Sequence, residues 1–170
     1  MEELRLLAIE WLDLDSKIIN EDILQFTEDG LLYAKKEFFY LPASSSGKYH
    51  PEYALGVGGL LRHTKAAMVI AEQLFPLYGF EDITQDYIIS ALALHDIEKP
   101  SRVHAIEVKL RLEPLRDEYP EIFENVIPLI ESHMGQWDQY GKLPRPKTEA
   151  QIFVHLCDYL ASRKILTVEI

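Results

Sequence analysis

The feature that most limits how this chain can fold is an uncharged run at residues 88–94, which ends in His95 and Asp96. Such an uncharged, mostly apolar run predicts the buried part of a helix. An imidazole and a carboxylate at the inner end of that helix cost free energy unless something offsets their burial. Two interpretations remain open: the pair binds a divalent cation, or it is a buried histidine that is hydrogen-bonded to a carboxylate.

Composition limits the class of protein. The chain has 170 residues, 48% of them hydrophobic and 26% charged, which is typical of one soluble globular domain. Its formal net charge of -11 argues against broad, non-specific binding to duplex nucleic acid, which needs a basic surface. The single cysteine, Cys157, rules out an intrachain disulfide and indicates a reducing compartment, so we expect a cytoplasmic protein. The acidic start does not fit a secretion signal, and no apolar stretch is long enough to predict a membrane span.

Apolar spacing predicts an all-α fold, because the alternation typical of strands is nowhere sustained. The first helix is predicted over residues 2–14. Its core-facing residues are predicted to be Leu4, Leu7, Trp11 and Leu14. Ser16 is predicted to cap a second helix that ends near Phe26, before a turn at residues 28–30. Residues 31–41 could form either a short helix or an extended arm.

Further helices are predicted near residues 60–75, 82–96, 103–119, 121–133 and 149–164. Pro114 is expected to kink or split the third of these. Thr148 and Gln151 form a plausible capping box for the last helix. The predicted inward side of that helix includes Ile152, His155, Leu156, Tyr159 and Leu160.

A long loop at residues 42–52 carries Lys48 and His50, and long loops in compact domains are often functional. It leads into three glycines at positions 56, 58 and 59, which allow a close backbone approach to a neighbour or ligand. They do not form a phosphate loop, because no strand precedes them and the Gly-Lys-Ser/Thr motif is absent.

Four polar residues lie on or beside the predicted apolar stripes of three separate helices. They are His63, His95, Asp96 and Asp158. Taken alone, a histidine such as His63 fits a core position better than a metal site. Together the four provide nitrogen and oxygen ligands that could bind one divalent ion.

At these residues the chain resembles the HD superfamily of metal-dependent phosphohydrolases, whose pattern is a distant His, then His-Asp, then a late Asp. The resemblance is strongest to the HD domain of a bacterial 3′–5′ exoribonuclease family, and it covers roughly residues 38–164. The stretches that carry it are Phe39-Tyr-Leu-Pro-Ala-Ser, Gly58-Gly59-Leu60-Leu61-Arg62-His63-Thr64, Leu94-His95-Asp96-Ile97, Ser132-His133, Pro144-Arg-Pro-Lys-Thr-Glu-Ala and His155-Leu-Cys-Asp158-Tyr-Leu.

The resemblance implies a single-domain HD-type helical bundle over residues 38–170, with residues 1–37 as N-terminal helices that pack on it. It implies a divalent metal ion as cofactor, which could be Mn, Fe, Ni, Co, Zn or Mg. The implied primary metal ligands are His63, His95, Asp96 and Asp158. His104 and His133 could bind a second metal ion or contact a phosphate.

The chain departs from the family pattern in three places. Glu98 stands where the family usually has glycine, and its carboxylate could face solvent, approach the metal or repel a phosphate. Met134 stands where the second histidine of a His-His pair would fall, and it is a poor ligand for these ions. Residues 1–37 are too few to form the OB-fold with which the exoribonuclease relatives hold RNA.

The implied reaction is hydrolysis of a phosphoester by metal-activated water, with Asp96 and Lys99 as catalytic residues. The cations expected to bind the substrate are Arg62, Arg102 and Lys48. A second basic cluster consists of Lys142, Arg145 and Lys147, which could equally be solvated surface charges. Trp137 and Tyr140 could stack on a nucleobase, or they could be simple core aromatics.

Three hypotheses about function follow. The first is a phosphohydrolase acting on a nucleotide or another small phosphorylated molecule, which suits the acidic composition. The second is a nuclease that trims single-stranded RNA or DNA ends, which suits the closeness of the resemblance. The third is a metal-binding sensor or interaction module without turnover, which Glu98 and Met134 keep open. The sequence does not predict the oligomeric state.

Overall fold

The computed structural model describes residues 2–44, 46–137, 141 and 143–164. In this part of the chain regular structure is helical throughout, without strands, which confirms the prediction of an all-α, single-domain bundle. The α-helices are α1 (Glu2–Leu12), α2 (Glu21–Leu32), α3 (Lys36–Tyr40), α4 (Gly59–Tyr78), α5 (Asp82–Leu94), α6 (His104–Leu112), α7 (Pro120–Ser132) and α8 (Glu149–Ala161). Short 3-10 turns lie at Leu14–Ser16, Glu52–Ala54 and Glu113–Leu115. None of the described helices is long and apolar enough to span a membrane.

Helix α5 is the central element of the bundle. It packs against α2, α4, α7 and α8. Every residue from 88 to 94 is completely buried, as the uncharged run predicts. The hydroxyl of Ser90 accepts a hydrogen bond of 2.7 Å from the Thr27 hydroxyl on α2, so its burial leaves no unmet polar group there. Because the helix ends at Leu94, His95 and Asp96 lie at the inner end of the most buried element.

Helices α4 and α8 pack on each other and on α5, so side chains from all three can meet. The predicted capping box begins α8: the Gln151 amide donates to Thr148 Oγ1 (3.2 Å), and the Thr148 amide donates to Gln151 Oε1 (3.1 Å). The predicted inward side of α8 is wrong at Ile152, which is 49% exposed. The helix instead turns a neighbouring face toward the core, and the residues fully buried there are Phe153, Val154, Cys157 and Ala161.

The predicted core-facing stripe of α1 is also wrong. Leu4, Leu7 and Trp11 are exposed, whereas Ala8 and Leu12 are buried. Helix α1 packs on α2 and α3, and its buried residues Ala8 and Leu12 belong to the hydrophobic core. Its contact with the bundle is therefore narrow, and most of its apolar residues stay in solvent.

The connection to α2 departs from the prediction as well. Leu14 is buried as expected, but Ser16 lies in a 3-10 turn and does not cap a helix. Asn20 is the cap: its Oδ1 accepts from the Ile23 amide at 3.0 Å. The carboxylate of Asp86 on α5 accepts from the amides of residues 19 and 20, at 3.1 and 2.8 Å, which fixes the chain where α2 begins.

Helix α2 continues through the predicted turn at residues 28–30. A Cβ at Gly30 would lie 2.9 Å from Leu94 Cδ2, so this glycine allows α2 to approach α5 closely. Residues 31–41, undecided between helix and arm, contain the short helix α3. The predicted break at Pro114 is confirmed, because α6 gives way to a 3-10 turn there.

Candidate metal centre

The four predicted metal ligands come from three packed helices, and their side chains converge. His63 lies on α4, His95 and Asp96 follow α5 directly, and Asp158 lies on α8. Asp158 Oδ1 is 2.9 Å from His63 Nε2 and 3.6 Å from His95 Nε2. Asp96 Oδ2 is 3.2 Å from His95 Nε2 and 3.8 Å from His63 Nε2. The donor atoms form two overlapping groups between the core helices, His63, His95 and Asp158 in one and His95, Asp96 and His133 in the other.

Two further histidines lie on the other side of Asp96. His104 is the first residue of α6, and its Nε2 is 3.1 Å from Asp96 Oδ1. His133 directly follows α7, with its Nε2 4.0 Å from the same oxygen and 3.3 Å from His104 Nε2. Both histidines are buried. Asp96 therefore lies between two sets of histidine nitrogens.

Backbone carbonyls fix the ring orientation of three of these histidines. The Nδ1 atoms of His95, His104 and His133 lie 2.7, 2.8 and 2.6 Å from the carbonyl oxygens of the residues three positions earlier. A carbonyl only accepts, so we assign the hydrogen to Nδ1 in each ring. That leaves Nε2 as the ring nitrogen that faces the centre, and when the ring is neutral its lone pair can ligate a metal.

The donor set fits a divalent cation. His95 Nε2 and both carboxylate oxygens of Asp96 are buried and have no hydrogen bond of acceptable geometry in the described structure. Buried polar atoms without such partners are costly, and a bound cation would satisfy them. Imidazole and carboxylate ligands together suit a borderline or hard divalent ion.

The charges at the centre shift the pKa values of its acids and bases. Burial alone would raise the pKa of Asp96, but His95 and Lys99 outweigh it and hold that pKa well below its usual range. Burial also disfavours the charged form of His95, yet Asp96 and Asp158 raise the pKa of His95 to about 10. In the protein without a cation, His95 is therefore protonated, and a metal ion must displace that proton to bind its Nε2.

His133 behaves in the opposite way. Its burial, together with the charges of nearby His95 and His104, lowers the pKa of His133 to about 3. The ring is therefore neutral at any physiological pH. A neutral imidazole is the form that ligates a metal.

A pocket of about 520 Å³ opens beside the centre. Lys99, His104 and Met134 form part of its wall, and the exposed Arg102 also lines it. The rest of its lining includes Leu41, Pro42, Ala43, Ser44 and Leu60. The Lys99 ammonium is 2.7 Å from Asp96 Oδ2, so it stands between the pocket and the metal ligands.

Two cations predicted to bind the substrate have other contacts. The Arg62 guanidinium donates to the carbonyls of Tyr53 (2.6 Å), Leu55 (2.8 Å) and Val57 (2.9 Å), which holds the segment before α4. Lys48 is exposed, and its ammonium lies 5.0 Å from the ring centroid of the following tyrosine. Among the contacts of the described residues, neither cation reaches the metal ligands.

Glu98 takes none of the three positions that the sequence left open. Its side chain is almost fully buried and forms ion pairs with Lys35, at 2.5 Å, and with Arg111. The carboxylate is therefore paired with cations from the segment before α3 and from α6. The sequence offers no signal for this pairing, because Lys35 is distant along the chain and Arg111 lies near the far end of α6.

Histidines at the margin also help to shape the centre. The His155 Nδ1 donates to the backbone carbonyl of His133 at 2.6 Å, which supports the turn that carries this histidine. The His50 ring lies 5.9 Å from the His63 ring, so the loop that carries His50 approaches the centre. Sequence reasoning missed Gly135: a Cβ there would lie 1.8 Å from the Pro144 carbonyl oxygen. Tyr140 and Lys142 lie outside the described residues.

The structure is an all-helical bundle, and its core helices bring a histidine, a His-Asp pair and a late aspartate together. These features define the class as helical proteins with a candidate metal centre. A model of the HD domain matches residues 60–163, more than half of the chain, and the chain therefore belongs to the HD domain family. An HD domain with a buried His/Asp cluster suggests a metal-dependent phosphohydrolase. No curated protein and no solved structure matches the chain.

Proposed function

We propose that the protein is a metal-dependent phosphohydrolase that cleaves a phosphoester of a nucleotide or of a similar small phosphorylated molecule. The observation that supports this best is the convergence of histidine and aspartate donors on one buried centre beside a pocket lined by cations. Lys99 and Arg102 line that pocket and would offset the charge of a phosphate.

The proposed cofactor is a divalent metal ion: Mn, Fe, Ni, Co, Zn or Mg. Its ligands would be His63, His95, Asp96 and Asp158. His104 and His133, with the second oxygen of Asp96, would hold a second ion or contact the phosphate. When bound, such an ion lowers the pKa of a water molecule and polarises a phosphoryl oxygen.

The chain's own residues would orient the reactants. Asp96 would accept a hydrogen bond from the attacking water and would orient or deprotonate it. Lys99 would keep Asp96 ionised and donate a hydrogen bond to a phosphate oxygen, because its ammonium borders both groups.

The pocket supports a small substrate. Its volume of about 520 Å³ lies within the range of roughly 300–1,000 Å³ that is common for small-molecule sites. Arg102 is the cation best placed to contact that substrate. Lys48 and Arg62 are not among the residues that line the pocket, and Arg62 would act by holding residues 53–57. We also propose a reducing compartment, the cytoplasm, as the location, because the sequence contains a single cysteine.

Two other functions would give different results. A nuclease that acts on single-stranded ends would bind an oligonucleotide with a steep salt dependence, because phosphate contacts release counterions. The exposed Arg145 and Lys147 favour that alternative. A sensor or interaction module would bind metal without any turnover.

The proposal is tested by elemental analysis of protein purified without chelator, combined with hydrolysis assays on bis(p-nitrophenyl) phosphate and p-nitrophenyl phosphate. We expect about one or two equivalents of metal per chain and hydrolysis of at least one of the two esters. Asp96→Ala should lose both the metal and the activity. Asp117→Ala, at an exposed aspartate far along the chain from the ligands, is the matched control and should lose neither.

Absence of metal in the parent protein, even after Mn²⁺ or Ni²⁺ is added, would contradict the proposal. So would full metal occupancy in Asp96→Ala. Metal without hydrolysis of any phosphoester would favour the sensor function.

A further inference from the structure

A row of three aromatic rings and one arginine, which includes Tyr159 of α8, is not used by the proposed reaction. It consists of Trp137, Tyr159, Arg163 and Tyr49, and we refer to it as the aromatic row. The rings of Trp137 and Tyr159 are stacked, with centroids 5.8 Å apart and an angle of 18° between their planes. The Arg163 guanidinium lies 4.3 Å from the Tyr159 centroid and 5.3 Å from that of Tyr49.

The aromatic row borders the metal centre. Tyr159 directly follows the ligand Asp158 on α8. The Trp137 ring lies 5.7 Å from the ring of His155, which in turn binds the carbonyl of His133. At the other end, Tyr49 directly precedes His50, whose ring is 5.9 Å from that of His63. The Trp137 end of the row is therefore linked to the centre through the ring of His155, and the Tyr49 end through the neighbouring His50.

The exposure of the row indicates a binding role rather than a packing role. The side chains of Trp137 and Tyr49 are each 54% exposed, although large aromatic rings contribute most to stability when they are buried. The row is also cationic, through Arg163 and through Lys48 above Tyr49, in a protein of net charge -11. A flat apolar face next to a cation suits a planar ligand that carries negative charge.

We infer that the aromatic row binds the base of a nucleotide whose phosphate lies at the metal centre; the position of the phosphate rests on the proposed function. The base would stack on the exposed face of Trp137, in line with the stacked ring of Tyr159. Stacking of this kind tolerates any base, because every base has a π face. Arg163 would hold the Tyr159 ring in place and add a cation–π attraction. The base could belong to a free nucleotide or to the end of a single strand.

The test compares two ligands that differ only in the base. Binding of AMP and of ribose 5-phosphate to the metal-loaded protein is measured by calorimetry for the parent, Trp137→Ala and Trp137→Phe. We expect AMP to bind the parent about 10-fold more tightly than ribose 5-phosphate. Trp137→Ala should remove that difference by weakening AMP alone. Trp137→Phe keeps an aromatic ring and should retain most of the preference. A merely structural role of the indole would instead change the affinities for both ligands together.

A fluorescence measurement gives an independent readout. The chain has two tryptophans, so Trp11→Phe leaves Trp137 as the reporter. AMP should quench this fluorescence by stacking, and ribose 5-phosphate should not. Trp11→Phe also serves as the matched control in calorimetry, because it removes an exposed indole on α1 and should leave both affinities unchanged.

Equal weakening of both ligands in Trp137→Ala, or no weakening of either, would overturn the inference. Adenosine-containing single strands of one to four nucleotides identify the source of the base: affinity that rises with length points to a strand end, and constant affinity points to a free nucleotide. Failure here is distinct from failure of the proposed function. Hydrolysis without any base preference would remove only the aromatic-row inference, and base-dependent binding without hydrolysis would remove only the reaction.

Discussion

Asp96 presents its two carboxylate oxygens to different partners. Oδ2 faces His95 and Lys99, at 3.2 and 2.7 Å. Oδ1 faces His104 at 3.1 Å and His133 at 4.0 Å. A carboxylate can serve both sides because it has two equivalent acceptor oxygens, whereas a neutral imidazole has one free nitrogen. One buried residue thus links the two halves of the centre.

Glu98 lies only two residues from Asp96 and yet contributes to a different part of the molecule. Its carboxylate is buried between the Lys35 ammonium and the Arg111 guanidinium, both of which are partly exposed. Removal of the carboxylate charge leaves two cations close together and an amide in a buried position. Glu98→Gln should therefore lower the free energy of unfolding by about 1–3 kcal/mol in urea denaturation.

Glu124→Gln is the matched control for that change. Glu124 also pairs with an arginine, Arg116, but that pair is exposed and screened by solvent, so Glu124→Gln should lower the free energy of unfolding by less than Glu98→Gln does. The metal content of Glu98→Gln should equal that of the parent, because the carboxylate is directed at Lys35 and Arg111. A lower metal content with unchanged stability would mean that Glu98 acts on the centre instead.

Among the elements, the turn that follows α7 positions His133. Gly135 allows this turn to lie against the segment before α8. A Cβ at Gly135 would lie 1.8 Å from the Pro144 carbonyl oxygen, and both groups belong to the backbone. Neither can move without displacing the turn. Gly135→Ala should cost about 2–4 kcal/mol in urea denaturation and should lower the metal content by displacing His133.

Gly79→Ala separates this effect from the general cost of replacing a glycine. Gly79 has a positive φ of 68° but open space around its Cβ position, so its replacement should cost only about 1 kcal/mol. Its metal content should stay unchanged. If both variants lose the same stability, the close approach at Gly135 is not what requires glycine.

At the scale of the whole molecule, metal binding should couple to pH through His95. Without metal, the pKa of His95 is raised to about 10, above its unfolded value of 6.5. The stabilisation from this protonated group is fully present below pH 6.5 and is lost as the pH rises through 10. The metal competes with this proton for Nε2 of His95, so metal binding becomes more favourable as the pH rises.

We therefore expect the rise in melting temperature on addition of Mn²⁺ to grow between pH 6 and pH 8.5, measured by scanning calorimetry with and without the ion. His133 should not contribute to this slope, because its pKa of about 3 keeps it neutral throughout that range. Asp96→Ala should show little shift at any pH. A metal-induced shift that is independent of pH would contradict the protonated state of His95.

Local sequence patterns determined the class of the fold and most of the candidate centre. The uncharged run before His95 predicts a buried helix because charged side chains are costly to bury. Helix α5 is buried throughout residues 88–94, as this run predicts. The Thr148–Gln151 capping box is equally local, because its hydrogen bonds join residues within one turn. Periodicity also placed His63 and Asp158 on helices that could meet at the His95-Asp96 pair.

Only the tertiary structure decided the contacts between residues that are distant along the chain. Periodicity identifies a helical stripe but not its neighbour, so Leu4 and Leu7 looked like core residues and are exposed. Gly30 looked like part of a turn but lies inside α2. A glycine is needed there because a Cβ would meet Leu94 of α5, and the sequence around Gly30 does not reveal that contact. The pairing of Glu98 and the assembly of the aromatic row likewise depend on where packed helices bring separate segments together. Such contacts arise from the packing of the whole chain, and a single stretch of sequence contains no record of them.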